Sequence, residues 1–239
     1  MSAAKKWLRG KILDDALLGA IDYWRFPDTR ASWGGPFNGQ VARGRLFAAL
    51  IDAFSPRAII ETGTFRGTTT EFMAATGLPI FTIENDRRLY GYSRMRFLTR
   101  RKVSVYYGDS RKVMKDLFAR RLRDIRQDVL FVYLDAHAHG DLPLAEELDI
   151  VFCCSPGAIV MIDDFQVPFD PGYAHDKYRS GVALVLEYIA PIVEQHGLTV
   201  LYPSTLSCDE TGAKRGCAVL AIHARHGAVL SGMEMLRAK

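Results

Sequence analysis

Polar and apolar positions alternate in blocks along most of this chain, and the blocks come in two lengths. Short apolar runs recur at Ala58-Ile59-Ile60, Leu78 to Ile83, Val103 to Tyr107, Val129 to Leu134 and Ala158 to Ile162. Runs of this length, rich in Val and Ile and lacking strict alternation, predict strands buried on both faces of a parallel sheet. Longer stretches between them repeat apolar residues at helical spacing, as crossover helices require. A helix is predicted from about Tyr178 to His196, followed by Leu198 to Tyr202 and Cys217 to Ile222. Those last two runs are joined by the polar, glycine-containing segment 209–216, so they should pair antiparallel.

Ahead of the first strand the pattern is helical. Residues 1–26 place Trp7, Leu8, Ile12, Leu13, Leu17, Ile21 and Trp24 at helical spacing, as one helix or two short ones that pack over the domain or contribute to a homodimer. Pro27 and Ser32-Trp33-Gly34-Gly35-Pro36-Phe37-Asn38-Gly39 form a breaker-rich loop able to act as a lid or merely to connect. A helix from Gln40 with Phe47, Leu50, Ile51 and Phe54 inward ends at Ser55-Pro56. The expectation is one α/β unit, with a helical extension and lid over 1–56 and the sheet domain over 57–239.

Composition narrows the class only slightly. At 239 residues and 49% hydrophobic, the chain can bury one sizeable core. The N-terminal apolar residues are interrupted by Arg9, Lys11, Asp14 and Asp15, unlike a signal peptide. No apolar run reaches the roughly 20 residues of a membrane span. The four cysteines, Cys153, Cys154, Cys208 and Cys217, have neither metal-site spacing nor disulfide density, which suits a cytoplasmic location. Charge is uneven: the net is +4, yet residues 87–126 hold 14 Lys and Arg against three Asp. That asymmetry fits either an anionic partner or the solvated faces of two helices.

Candidate chemistry begins at Ala58 to Thr70, AIIETGTFRGTTT. A strand, a turn carrying Gly63 and Gly67 around Thr64, and a helix opening at Thr68 place backbone amides at the carboxyl end of a sheet. The third glycine of a dinucleotide fingerprint is missing. Glu61 stands where a diphosphate would be repelled and an ammonium group welcomed. Glu84 lies 21 positions beyond Gly63, close to the offset at which such folds set a carboxylate on ribose hydroxyls, although either Glu84 or Asp86 can cap the next helix. Asp109-Ser110 closes the third strand and is equally suited to helix capping. Asp135, after the fourth strand, and Asp163-Asp164, after the fifth, cluster three carboxylates that a hard divalent cation would neutralise.

The E-x-G-x-x-x-G arrangement of Glu61, Gly63 and Gly67 resembles motif I of the class I S-adenosylmethionine-dependent methyltransferases. The resemblance covers Ala58 to Ile222 and implies a Rossmann-like sheet of seven mostly parallel strands, order 3-2-1-4-5-7-6, with strand 7 antiparallel. It further implies that Glu61, Gly63, Thr64, Gly67 and Thr68 hold the cofactor's methionine end and Glu84 its ribose. Asp109 would lie at the adenine, with Ser110 and Asp135 completing the cofactor set. The acid triplet resembles that of the Mg²⁺-dependent O-methyltransferases acting on sugars and on macrolide or aminocoumarin antibiotics, implying Asp135, Asp163 and Asp164 as metal ligands. The sequence departs from that pattern in carrying His137-Ala138-His139. His137 supplies an alternative, with Asp135, for removing the acceptor's proton without a metal.

These readings converge on O-methylation of a hydroxyl on a small molecule or sugar, anionic if the basic stretch serves it. A nicotinamide-dependent reductase is the rival enzyme. A non-catalytic protein that docks nucleic acid or a membrane through residues 87–126 is the rival from another class.

Overall fold

The computed structural model describes residues 14–136, 142–178 and 181–239. In chain order the elements are α1 (Asp15–Arg25), two 3-10 turns (Pro27–Gly34 and Pro36–Gly39), α2 (Val41–Phe54), β1 (Ala58–Thr62), α3 (Thr68–Ala74), β2 (Ile80–Glu84), α4 (Arg87–Arg96), β3 (Val103–Tyr107), α5 (Ser110–Ala119), β4 (Leu130–Leu134), α6 (Leu144–Cys154), β5 (Ile159–Asp163), α7 (Leu186–His196), β6 (Leu198–Pro203), β7 (Cys217–Ile222), α8 (Ala228–Ser231) and β8 (Leu236–Arg237).

The sheet order is β3-β2-β1-β4-β5-β7-β6-β8. β1 pairs parallel with β2 and β4, β2 with β3, and β4 with β5. β7 runs antiparallel between β5 and β6. The expected order is therefore present, with one correction: the sheet has eight strands, because Leu236–Arg237 adds an antiparallel edge to β6.

Every residue of β1, β2, β4 and β5 is buried, as runs covered on both faces must be. Alternate residues serve opposite cores. Ile60, Val132, Leu134, Val160 and Ile162 pack with Met114, Phe118, Leu148 and Ile189. Ile59, Phe131, Tyr133, Ile159 and Met161 pack with Phe37, Leu46, Phe47 and Leu50 of the N-terminal layer.

The helix expected from Tyr178 begins only at Leu186. The described residues 176–178 and 181–184 instead pair with each other: Lys177 bridges Ala183 antiparallel, the Leu184 N–H donates to the Asp176 carbonyl at 3.0 Å, and Gly181 sits at φ +85°. Glycine takes that left-handed conformation without strain and breaks the helical pattern around it.

The N-terminal helix is packed, not appended. α1 crosses α4 so closely that a Cβ on Gly19 would lie 1.8 Å from the Arg88 carbonyl oxygen, and one on Gly91 would lie 1.9 Å from that of Ala16. Asp14 takes two hydrogen bonds from Arg87, and Asp22 takes one from Arg88. Part of the basic excess of 87–126 is thus answered by acids outside that stretch, Glu71 on Arg96 and Glu146 on Arg111 among them. Among the described residues no helix is long and apolar enough to cross a membrane, and all four cysteines are free thiols.

Candidate functional site

A cavity of about 830 Å³ opens at the carboxyl ends of β1, β2 and β4, where parallel sheets place ligands. Its first wall is the β1–α3 turn. Gly63 has φ +82°, and a Cβ there would lie 2.3 Å from the Asp135 carbonyl oxygen, so this turn can pass β4 only as glycine. Gly67, at φ +74°, leaves a Cβ's space to the Phe97 ring.

Glu61 is 1% exposed, and its Oε2 accepts from the hydroxyls of Thr70 at 2.5 Å and Thr82 at 2.6 Å. Burial outweighs those bonds and pushes its carboxyl up to about 7. Thr64 shares a hydrogen with Thr82 at 2.5 Å, and the Thr68 hydroxyl donates to the Arg30 carbonyl, so both threonines line the cavity while bracing neighbouring elements.

The two acids after β2 divide their tasks. Asp86 caps α4, accepting from the N–H groups of Arg88 and Leu89. Glu84 accepts from the Phe65 N–H at 2.7 Å and the Asp86 N–H at 2.8 Å and faces the cavity, with burial raising its pKa. After β3, Asp109 is the cap of α5, and both its oxygens take the Arg111 guanidinium, which holds its pKa down. Asp109, Ser110 and Arg111 all line the cavity.

Asp135 follows β4 beside Gly63 and lines the same cavity. Burial, with the Asp164 and Glu61 carboxylates nearby, holds its pKa well above the ordinary carboxylate range. His137 lies outside the described residues.

The structure does not gather Asp135, Asp163 and Asp164 as a metal site. Asp163, 1% exposed, is saturated: Arg43 Nη1 forms a buried ion pair with Oδ1, the Asp164 N–H reaches the same oxygen at 2.8 Å, and the Tyr133 hydroxyl and Asn38 amide donate to Oδ2 at 2.6 and 3.3 Å. The backbone leaves regular strand geometry at Asp164, φ +53°, so that residue lines the cavity while Asp163 does not. Arg215 donates from Nε to Asp164 at 2.6 Å and from Nη2 to Asp176. Among the described residues, the one group of three or more His, Cys, Asp or Glu with ligand atoms within 4.8 Å of one another is Asp149, Cys153 and His196, and none of these lines the cavity. Asp163 and Asp164, their carboxylates already taken by guanidinium and hydroxyl donors, do not fit a divalent ion.

The breaker-rich loop closes this end. Trp33, Gly34, Gly35, Phe37, Asn38 and Gly39 all have positive φ. Phe37 is driven into the core against Phe47, Phe72 and Tyr133, which leaves Trp33, 72% exposed, at the cavity lip. Gln40 then clamps Arg215, its amide donating to the Arg215 carbonyl at 2.9 Å and its oxygen accepting the Arg215 N–H at 2.7 Å.

Sequence reasoning missed Arg43, Arg215 and Asp176. For Arg43 a signal existed, since an arginine shares the apolar stripe of Leu46, Phe47 and Leu50. Arg215 and Asp176 stand in polar connecting segments and carried none.

No family model matches this sequence, and no curated protein matches it. Solved structures do. An O-methyltransferase of Bacillus cereus, solved in complex with SAH, is 15% identical, with 76% of this chain and 81% of that one covered at a TM-score of 0.54. A Klebsiella pneumoniae protein assigned by inference as an O-methyltransferase is 15% identical over 92% of this chain and 96% of its own, TM-score 0.53. The cofactor-bound Rv0187 protein of MTB is 17% identical over 92% and 95%, TM-score 0.51. At these identities the likeness establishes the fold, a Rossmann-like methyltransferase sheet.

Proposed function

We propose that this chain is an S-adenosylmethionine-dependent methyltransferase acting on a hydroxyl of a small molecule or sugar. The observation that carries the reading is the buried Glu61 carboxyl beside the Gly63 turn, with no cation of the protein hydrogen-bonded to it among the described residues and its pKa raised by burial. A cationic ligand would favour its ionised form, whereas a diphosphate would meet a like charge. Fold neighbours described as O-methyltransferases, one of them solved with SAH, support the same cofactor.

The residues present fit that cofactor. Gly63 lets the turn pass close against β4 at the cavity wall, Glu61 offers a buried acceptor for an ammonium group, and Glu84 offers carboxylate oxygens to paired ribose hydroxyls. Ser110 and the Asp109-Arg111 pair form the wall beyond, where the adenine would lie. When bound, the cofactor supplies a methyl group already activated by a sulfonium.

What remains for the protein is alignment and proton removal. Asp135, at the cavity wall beside the glycine turn, is the acid placed to receive the acceptor's proton. The loop carrying Trp33 and Asn38, together with Arg215, frames the acceptor end. The four free thiols suit a cytoplasmic enzyme.

Calorimetric titration with S-adenosylmethionine, S-adenosylhomocysteine and NADH tests the reading. The first two should bind, and Glu84→Gln should weaken both about tenfold or more, as loss of charge-assisted hydrogen bonds requires. Tight NADH binding with no response to S-adenosylmethionine would overturn it.

A further inference from the structure

The acidic end of the cavity already contains its own cations. Asp163, Asp164 and Asp176 converge from β5 and from the hairpin that follows it, an arrangement that would repel itself without a counter-charge. Two guanidinium groups answer it. Arg43, 3% exposed on the inner face of α2, is buried against Asp163 and donates from Nη2 to the Arg215 carbonyl. Arg215 bridges Asp164 and Asp176. Together they carry the charge of one divalent ion.

The geometry shows how firmly they are placed. Arg43 touches both the Asp163 carboxylate and the backbone of Arg215, while Gln40, one turn earlier, pairs with that same backbone through both halves of its amide. The Ala213 N–H donates to the Asn38 carbonyl at 3.0 Å, and a Cβ on Gly212 would meet that oxygen at 2.3 Å. The lid segment and the β6–β7 loop are therefore stitched together around the two arginines. Fixed cations of this kind require no desolvation or capture from solution when a ligand arrives.

We propose that Arg43 and Arg215 are resident cations standing in place of a divalent metal, and that this site works without one. Arg43 is a positioning residue that holds Asp163 and, through it, the Tyr133 hydroxyl. Arg215 is the cation that meets the acceptor end of the cavity, held there by Asp164 and Asp176. The cation-binding claim stands on the side chains alone; only its bearing on acceptor chemistry rests on the methyltransferase reading.

The test uses the full chain with Mn²⁺ as probe, free of cofactor and acceptor, read by electron paramagnetic resonance and by thermal denaturation with Mn²⁺, Mg²⁺ or chelator. Wild-type protein should bind no Mn²⁺ at this site, and its Tm should be indifferent to all three additions. Arg215→Ala leaves Asp164 and Asp176 without their cation, so it should bind Mn²⁺ at least about tenfold more tightly than wild type and gain Tm on its addition. Arg215→Ala/Asp164→Asn should lose that gain. Arg215 is partly exposed, so this variant folds even if an Arg43 variant does not. A wild-type protein that binds Mn²⁺ through Asp164, or an Arg215→Ala protein as indifferent as wild type, would overturn the proposal. Because no cofactor is present, failure of the methyltransferase reading would leave these outcomes unchanged.

Discussion

At the end of the cavity floored by β1 and β2, Glu61 and Glu84 are buried with only hydroxyls and backbone amides donating to them; at the end reached by β5 and β7, Asp163, Asp164 and Asp176 are tied to Arg43 and Arg215. Both ends carry carboxylates in a confined space, yet among the described residues only at the second are the named carboxylates hydrogen-bonded to guanidinium groups. Desolvation raises the pKa of an acid that lacks a charge partner, so the first end is left electrostatically incomplete until a cation enters it. The second end is complete as folded. On the proposed function, a pocket with one acidic end lacking a guanidinium partner and one acidic end already paired takes its cationic ligand in a single orientation.

The largest effect should come from breaking the satisfied end. Arg43→Met strands Asp163 as a buried charge, which costs about 3–5 kcal/mol by comparison with other buried pairs. Replacing both partners together, as Arg43→Met/Asp163→Asn, should recover much of that loss, since no charge is orphaned and the introduced amide oxygen still accepts from Tyr133. Urea denaturation of the two single variants and the double variant measures the coupling directly. If the single variant loses less than the double, the ion pair does not hold this end together.

Next comes the unsatisfied end. Glu61 and Glu147 are both buried carboxyls pushed up to about 7 from an ordinary value of 4.5. Between those pH values the folded state binds more protons than the unfolded state, so stability falls as pH rises through that window and levels off above it. Each group accounts for at most about 3 kcal/mol of that fall. Glu61→Gln keeps an acceptor for Thr70 and Thr82 but removes the titration. The variant should therefore show a visibly shallower decline than wild type between pH 5 and pH 8 in denaturant titrations, with Glu147, Glu84 and Asp135 providing the remainder. An unchanged slope would mean that Glu61 is not the buried acid it is taken to be.

The contrast between the ends also explains what could be read from the residues alone. The strands were legible because β-branched runs such as Ile159-Val160-Met161-Ile162 announce burial on both faces. So were Gly63 and Glu61, because a tight turn and an acid are local features. β8 was not, since two residues make no pattern. The hairpin over 176–184 was hidden because the apolar spacing that continues into α7 overrode the single glycine at 181. The carboxylates of the second end were legible as a cluster, and a metal was the natural expectation. Asp163 pairs instead with an arginine 120 positions away and Asp164 with one 51 positions away, and those pairings are set by tertiary packing.

The smallest effect belongs to the lip between the two ends. Trp33 has φ +54° and leaves most of its ring in solvent, so the fold gains little from it. Trp33→Ala should shift stability by less than about 0.5 kcal/mol, as exposed substitutions do. On the proposed function, in which the Trp33 loop frames the acceptor, it should also leave S-adenosylmethionine affinity unchanged. On that reading the strained, exposed ring contributes through the acceptor that it touches in the complex. The expected result is therefore a raised acceptor KM at nearly constant kcat, read as initial rates against whichever hydroxyl acceptor supports turnover. Equal losses in cofactor and acceptor binding would place Trp33 over both ends and remove the division between them.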